Sequence, residues 1–293
     1  AELGDAQVLY TNADQDAARQ QQQAESALAA GASVLVLDPV DGRAAASILA
    51  SATAEGVPVI SYDRMIIGGG KPAYYVSFDN QRVGELQAEA LVAGLKAEGR
   101  MDGGILMVHG APTDSNAAQF REGARRVIEK AGLRVLAEYD TPDWSPDKAQ
   151  SWVAGQLAQY GDEVAAVYAA NDGTASGAIA ALRAADVSPF PIVTGQDAEL
   201  TALQRIVSGD QYMTVYKAIR EQATIAADVA TELASGERPK GDTTVEGIPS
   251  TLLTPIAVTV NDIASTVVAD GFWTVEDICT PPYAEACAAA GLE

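Results

Sequence analysis

Short apolar runs alternate with helical stretches along almost the whole chain, and this alternation constrains the fold more than any other feature. The runs are "AQVLYTN" (6–12), "SVLVLDP" (33–39), "VPVISYD" (57–63), "YYVSFD" (74–79), "GILMVHG" (104–110), "LRVLAEYD" (133–140), "VAAVYAAND" (164–172), "FPIVTGQD" (190–197) and "QYMTVYK" (211–217). Between them lie stretches such as "DQDAARQQQQAESALAAG" and "DNQRVGELQAEALVAGLKAEG". These carry Ala, Leu and Val at helical spacing and close on Gly, the residue that most readily ends a helix. Continuous apolar strands separated by helices predict parallel sheets covered on both faces, an α/β protein.

The predicted strands also end alike. "VLVLDP", "VISYDR", "YVSFDN", "VYAAND" and "IVTGQD" all run into Asp. In open parallel sheets, ligands bind outside the carboxyl ends of the strands. Asp at that position also serves as the N-cap of a following helix, a role that suits Asp38, Asp79 and Asp172. It suits Asp63-Arg64 and Gln196-Asp197 less well: Arg64 runs into "MIIGGG" rather than into a helix, while Asp197 opens "AELTALQRIVSG" and stays open as a cap.

A chain of 293 residues with 48% apolar side chains can fill two lobes. Its 40 acidic against 19 basic side chains give a formal charge of -21, which repels nucleic acid and anionic membrane surfaces. No apolar run approaches the ~20 residues of a membrane span. Cys279 and Cys287 flank a Pro-Pro turn and a short helical stretch, and are expected to close a disulfide in an oxidising compartment. Two sulfurs and the single histidine, His109, do not make a tetrahedral metal site. The opening "AELGDAQVLYTN" resembles the last turn of a helix, a Gly stop and a strand. The first strand and helix of the first lobe are therefore expected to be missing from this chain.

Catalytic and nucleotide-binding signatures are absent. No GxGxxG follows a strand, and no GxxxxGK[ST], HExxH or GxSxG occurs. "GGGK" (68–71) suits a turn. His109, at the end of an apolar strand, suits a core or hinge position. No carboxylate pair stands apart from the other strand-end Asp residues as a glycosidase pair would. The expectation is a binding protein with no cofactor.

What remains is a set of planar polar groups and one loop aromatic. Arg64 offers a rigid donor fork, Asp63, Asp172 and Asp197 offer paired acceptors, and Asn116 and Asn171 offer both; Lys217 is a donor at a strand end. Trp144 sits in "TPDWSPDKAQ" with Pro on both sides. A sugar ring needs this combination. Each hydroxyl pairs with an acceptor on one side and a donor on the other, and the apolar ring face packs on indole.

The ordered motifs "SYDRMI", "YYVSFDN…VGELQAEAL", "ANDGTASGAI", "TGQDAEL", "MTVYK" and "LLTPIAVT" together resemble the periplasmic sugar-binding proteins of ABC importers, most closely the D-xylose-binding branch. The resemblance spans residues 6 to 273 and leaves out the two-cysteine tail. It implies a type I periplasmic-binding-protein fold: two Rossmann-like lobes with parallel sheets, joined by a three-segment hinge, with a monosaccharide in the cleft between them. Crossings set where the resemblance implies them and where local sequence permits a hinge put the lobes at 1–111 plus 218–253 and at 112–217 plus 254–293. By the same resemblance Asp63 and Arg64 bind hydroxyls from the first lobe, and Asn116, Trp144, Asn171, Asp197 and Lys217 complete the set. Asp172 is either a further contact or a helix cap. The implied ligand is D-xylose or a related aldopyranose such as D-glucose. The implied partners are ABC permease subunits, met by a monomer in the periplasm or at the outer face of the membrane, either free or held by a lipid anchor. The alternative is the sugar-sensing effector domain of a LacI-type regulator, which shares the fold.

Overall fold

The computed structural model describes residues 7–292, and the alternation read from the sequence is present. In chain order the elements are α1 (Ala17–Ala29), β1 (Leu35–Leu37), α2 (Ala46–Ala54), β2 (Val59–Tyr62), β3 (Tyr74–Phe78), α3 (Asn80–Ala97), β4 (Gly104–His109), α4 (Ser115–Ala131), β5 (Arg134–Asp140), α5 (Pro146–Tyr160), β6 (Val164–Ala169), α6 (Asp172–Ala184), β7 (Ile192–Val193) and α7 (Leu200–Val207). There follow β8 (Thr214–Tyr216), α8 (Ile219–Ala234), β9 (Thr243–Val245), β10 (Ile248–Leu253), β11 (Ile256–Val258), α9 (Val275–Ile278) and α10 (Ala284–Ala289). Packing divides the chain into two compact units. One is Ala1–Asp79, Thr113–Asn116 and Ala218–Thr254, and the other is Asn80–Pro112, Ala117–Lys217 and Pro255–Glu293.

The first unit holds a five-stranded sheet of order β1-β2-β3-β10-β9, parallel except for β9. Leu37, Ile48, Leu49 and Val59 pack in one cluster with residues of α1 and α2, and Ile60, Tyr74 and Val76 pack with Ala226 and Val229 of α8. Both faces of the sheet are thus covered, as continuous apolar strands require. The β9–β10 hairpin was not among the predicted strands. It turns through Glu246 and Gly247, both left-handed (φ 50° and 77°), the backbone that a two-residue hairpin loop needs.

The run at 6–12 does not form the strand its composition suggests. Among the described residues, 7–12 have no ladder partner, and Val8, Leu9 and Tyr10 are exposed. A strand exists only when paired, and propensity without a neighbour does not make one. The predicted helix turn before this run lies outside the described residues.

The second unit holds the parallel sheet β5-β4-β6-β7 and the antiparallel pair β8–β11. One face of the parallel sheet packs Ile105, Met107, Ala166 and Tyr168 against Ala88, Leu91 and Leu95 of α3. The other packs Leu106, Val108 and Val167 against α5 and α6 through Val153, Ala178 and Leu182. The packing of α3 places Asn80–Pro112 with this unit, whereas sequence reasoning ran the first lobe to residue 111. Conversely, Thr113–Asn116 go with the first unit: Gly42 N–H donates to the Thr113 carbonyl and Met65 N–H to Ser115 Oγ. The expected disulfide between Cys279 and Cys287 is formed, with Cα atoms 5.8 Å apart.

His109 is a core group, as its place on an apolar strand suggests: it is 1% exposed, with Nε2 2.9 Å from Glu138 Oε2. Burial holds its imidazole down at about 4, against the pull of Glu138 in the other direction. The native state therefore binds fewer protons than the unfolded chain between pH 6.5 and about 4. The stability associated with this group is full above that window and is lost as pH falls through it. His109→Gln is expected to flatten the acid limb of the urea-unfolding midpoint relative to the parent. Parallel limbs in the two proteins would contradict this.

Candidate functional site

In the first unit the polar groups gather where β2 ends. Asp63 is left-handed (φ 57°), which turns the chain sharply out of the strand. Asp and Asn tolerate that conformation better than most residues. Its backbone is fixed by Asp63 N–H to the Val76 carbonyl at 2.8 Å and by Ser77 Oγ to the Asp63 carbonyl at 2.6 Å. Its carboxylate accepts from Asn116 Nδ2 at 3.1 Å, with Gln222 Nε2 at 3.5 Å from its other oxygen. Arg64 lies with Nε 2.8 Å from the buried Asp114 carboxylate and 3.8 Å from Asp38, and its Nη1 donates to the Pro39 carbonyl at 3.3 Å. Asp38 thus serves Arg64 rather than capping α2, which begins eight residues later. Asn116 is 2% exposed and belongs to this cluster, where sequence reasoning had assigned it to the other lobe. The partners Asp114 and Gln222 were not predicted; nothing in a single sequence ties them to the end of β2.

In the second unit the predicted residues stand at the carboxyl ends of successive strands. Trp144 follows β5 in a short 3-10 turn and is itself left-handed (φ 55°), held by its N–H to the Thr141 carbonyl at 3.3 Å. Its indole lies edge-on to Phe120, with centroids 6.3 Å apart, and against Gly110 at the end of β4. A Cβ at Gly110 would meet the ring at 2.0 Å, so only glycine admits the tryptophan there. Asn171, after β6, is the N-cap of α6. Its Oδ1 accepts from Thr174 N–H at 2.9 Å in a capping box, which leaves its amide nitrogen as a donor. After β7 comes Asp197, whose carboxylate lies 3.1 Å from Lys217 Nζ at the end of β8.

Asp172 is placed differently from the others. It is the first residue of α6, one position past the cap, and has no exposed surface. Gln211 Nε2 at 2.7 Å, Thr214 Oγ1 at 2.9 Å and Glu199 N–H at 3.0 Å occupy its oxygens. A Cβ on Gly195 would lie 2.1 Å from Asp172 Oδ1, so this glycine allows the loop after β7 to close down on the carboxyl. Asp172 braces the loop that carries Asp197 and presents no free oxygen to a ligand. Among the described residues no cluster of His, Cys, Asp and Glu could hold a metal, and no helix is long and apolar enough to cross a membrane.

The chain matches the family described as periplasmic binding protein domain over residues 1–238. It is 39% identical over 280 residues to the D-xylose-binding periplasmic protein of Escherichia coli (strain K12), covering 93% of this chain and 83% of that protein. To the multiple sugar-binding periplasmic receptor ChvE of Rhizobium radiobacter it is 32% identical over 288 residues, covering 90% and 81%. Among solved structures it is similar to an ABC transporter solute binding protein from Clostridium phytofermentans with bound β-D-glucose, at TM-score 0.82 and 29% identity over 90% of this chain and 87% of that one. The chain belongs to the periplasmic binding protein family. It is a solute-binding protein and not an enzyme, and nothing among these likenesses supports the regulator alternative.

Burial, and next the charge of Asp197, push the Asp172 carboxyl up to about 8, although its hydrogen-bond donors pull the other way. The native state then holds a proton that the unfolded chain has released between 3.8 and about 8. The stability associated with this proton is full below the window and declines as pH rises through it. Asp172→Asn is expected to remove that part of the decline, so unfolding midpoints of parent and variant should diverge with pH. An identical pH dependence would contradict it.

Proposed function

We propose that the protein captures a monosaccharide, D-xylose or a related aldopyranose such as D-glucose, and delivers it to an ABC permease from the extracytoplasmic side. The observation that carries this reading is the chemistry of the strand ends. Each unit presents acceptors and donors already fixed by buried partners, and the second adds an indole seated against Gly110. Vicinal hydroxyls match such alternating acceptors and donors, and the ring's C–H face matches the indole. The relatives' names point the same way: the Escherichia coli protein is named for D-xylose and the Clostridium phytofermentans structure holds glucose.

In this reading Asp63, Arg64 and Asn116 of the first unit and Trp144, Asn171, Asp197 and Lys217 of the second take one sugar, while Asp172 supports the site from behind. A ligand held by groups of both units stabilises the arrangement in which both sets of contacts are made. That liganded form is the one a permease would recognise. The passages of chain between the units, at 79–80, 112–113, 116–117, 217–218 and 254–255, are where hinge motion would fall.

Thermal melting against a panel of pentoses, hexoses and polyols tests this. A ligand at ~100 times its dissociation constant adds ~2.7 kcal/mol to stability, a clear rise in Tm. The expected result is a rise with D-xylose, D-glucose or both, lost in Arg64→Ala and Trp144→Ala variants whose own unliganded transitions remain cooperative. Silence across the panel would overturn the reading. Full responses in both variants would overturn the site.

A further inference from the structure

The loop that carries Asp197 is strained, and its centre is buried. Asp197 and Ala198 both have positive φ, 105° and 51°, and Ala198 has no exposed surface. Residues with a Cβ persist in such conformations only where their surroundings over-determine them. Three hydrogen bonds hold the amide side of the loop: Asp197 N–H to the Val215 carbonyl at 2.9 Å, Ala198 N–H to Thr214 Oγ1 at 3.1 Å, and Glu199 N–H to Asp172 Oδ2 at 3.0 Å. On the carbonyl side, Ala198 O accepts from Trp273 Nε1–H at 2.9 Å. A buried carbonyl stripped of its donor carries the full cost of desolvation, so this bond matters to the loop's conformation.

Trp273 belongs to a segment that is tied down on both sides of it. Before it, Phe272 packs edge-on against Tyr216, the residue preceding Lys217, with centroids 5.2 Å apart, and Tyr216 Oη donates to Asp270. After it, Thr274 and Asp277 form a capping box that opens α9. The last carbonyls of α9, Asp277 and Ile278, lie within 3.4 Å of Gln204 Nε2 on α7. Ile278 is fully buried, and the next residue, Cys279, is bonded to the buried Cys287 of α10. The cross-link ties the end of α9 to α10, whose Cys287 is buried, so α9, whose cap Thr274 follows Trp273 directly, cannot fray from its C-terminal end independently of that helix.

We propose that residues 270–292 form a disulfide-closed clamp in which Trp273 is a positioning residue for the Asp197–Ala198 loop, so that ligand affinity depends on the Cys279–Cys287 bridge. The proposal rests on the assignment of Asp197 to the sugar site. Trp273 touches no ligand; it fixes the backbone from which the Asp197 carboxylate and its Lys217 partner are presented.

Amide hydrogen exchange over 195–203, together with calorimetric titration of D-xylose and D-glucose, tests it in three samples: the parent, Trp273→Phe, and the parent reduced with dithiothreitol. Trp273→Phe keeps an aromatic six-membered ring but removes the indole N–H together with the five-membered ring that carries it, so the Ala198 carbonyl loses its donor. The expected result is faster exchange at 197–199 in the last two samples, with about tenfold weaker sugar binding and exchange elsewhere in the second unit unchanged. Unaltered exchange at 197–199 in both would overturn the clamp. Faster exchange with unaltered affinity would overturn the positioning role while the sugar reading stands. A parent that binds neither sugar nor any other monosaccharide would instead sink the sugar reading, and exchange alone would then decide whether the clamp exists.

Discussion

A charged group drawn to the end of a buried strand must be given a partner, and that constraint organises both units of this protein. Desolvating an unpaired carboxylate or guanidinium costs several kcal/mol. Here Arg64 meets Asp114, Asp63 meets Asn116, and Asp197 meets Lys217. Asp63, Arg64 and Asp197 are planar groups with more than one donor or acceptor position each. The pairing both makes burial tolerable and fixes the directions in which the remaining positions point. A ligand that completes them meets groups already ordered, and affinity gains most when ordering does not have to be supplied on binding.

Behind the pairs stands a second layer centred on Asp172, Gln211 and Thr214, all buried. Asp172 gathers Gln211, Thr214 and the Glu199 amide, and Arg205 joins the same network through Gln211 and the Asp172 carbonyl. These groups connect α6, α7, β8 and the loop after β7, so the position of Asp197 follows from several elements at once. Trp144 is set in a comparable way by Thr141, Phe120 and the absence of a side chain at Gly110.

Much of this was legible in the sequence, for reasons that are local. Strand and helix types followed from periodicity, and "AAG" and "AEG" marked helix ends at Gly31 and Gly99, both left-handed in the structure. The strand-end residues could be picked out because a polar group directly after an apolar run is a local signal. The sequence marks Asn171 as a contact and Asp172 as either cap or contact, whereas in the structure Asn171 is the cap. That distinction depends on one residue of register that periodicity does not fix. The pairing of 7–12 could not be judged, because β propensity says nothing about whether a neighbouring strand is present. The placement of α3 and of Asn116 was also out of reach, since both follow from long-range packing. Trp273 carried no local signal at all: its role depends on a hydrogen bond to a residue 75 positions away.

The most direct test of the central claim is a crystal structure of the protein with D-xylose or D-glucose bound. The account predicts one sugar whose hydroxyls are bonded at once by Asp63 or Arg64 of the first unit and by Asp197 or Lys217 of the second, with its ring against Trp144. A sugar bound away from these residues, or held by the groups of one unit alone, would contradict it.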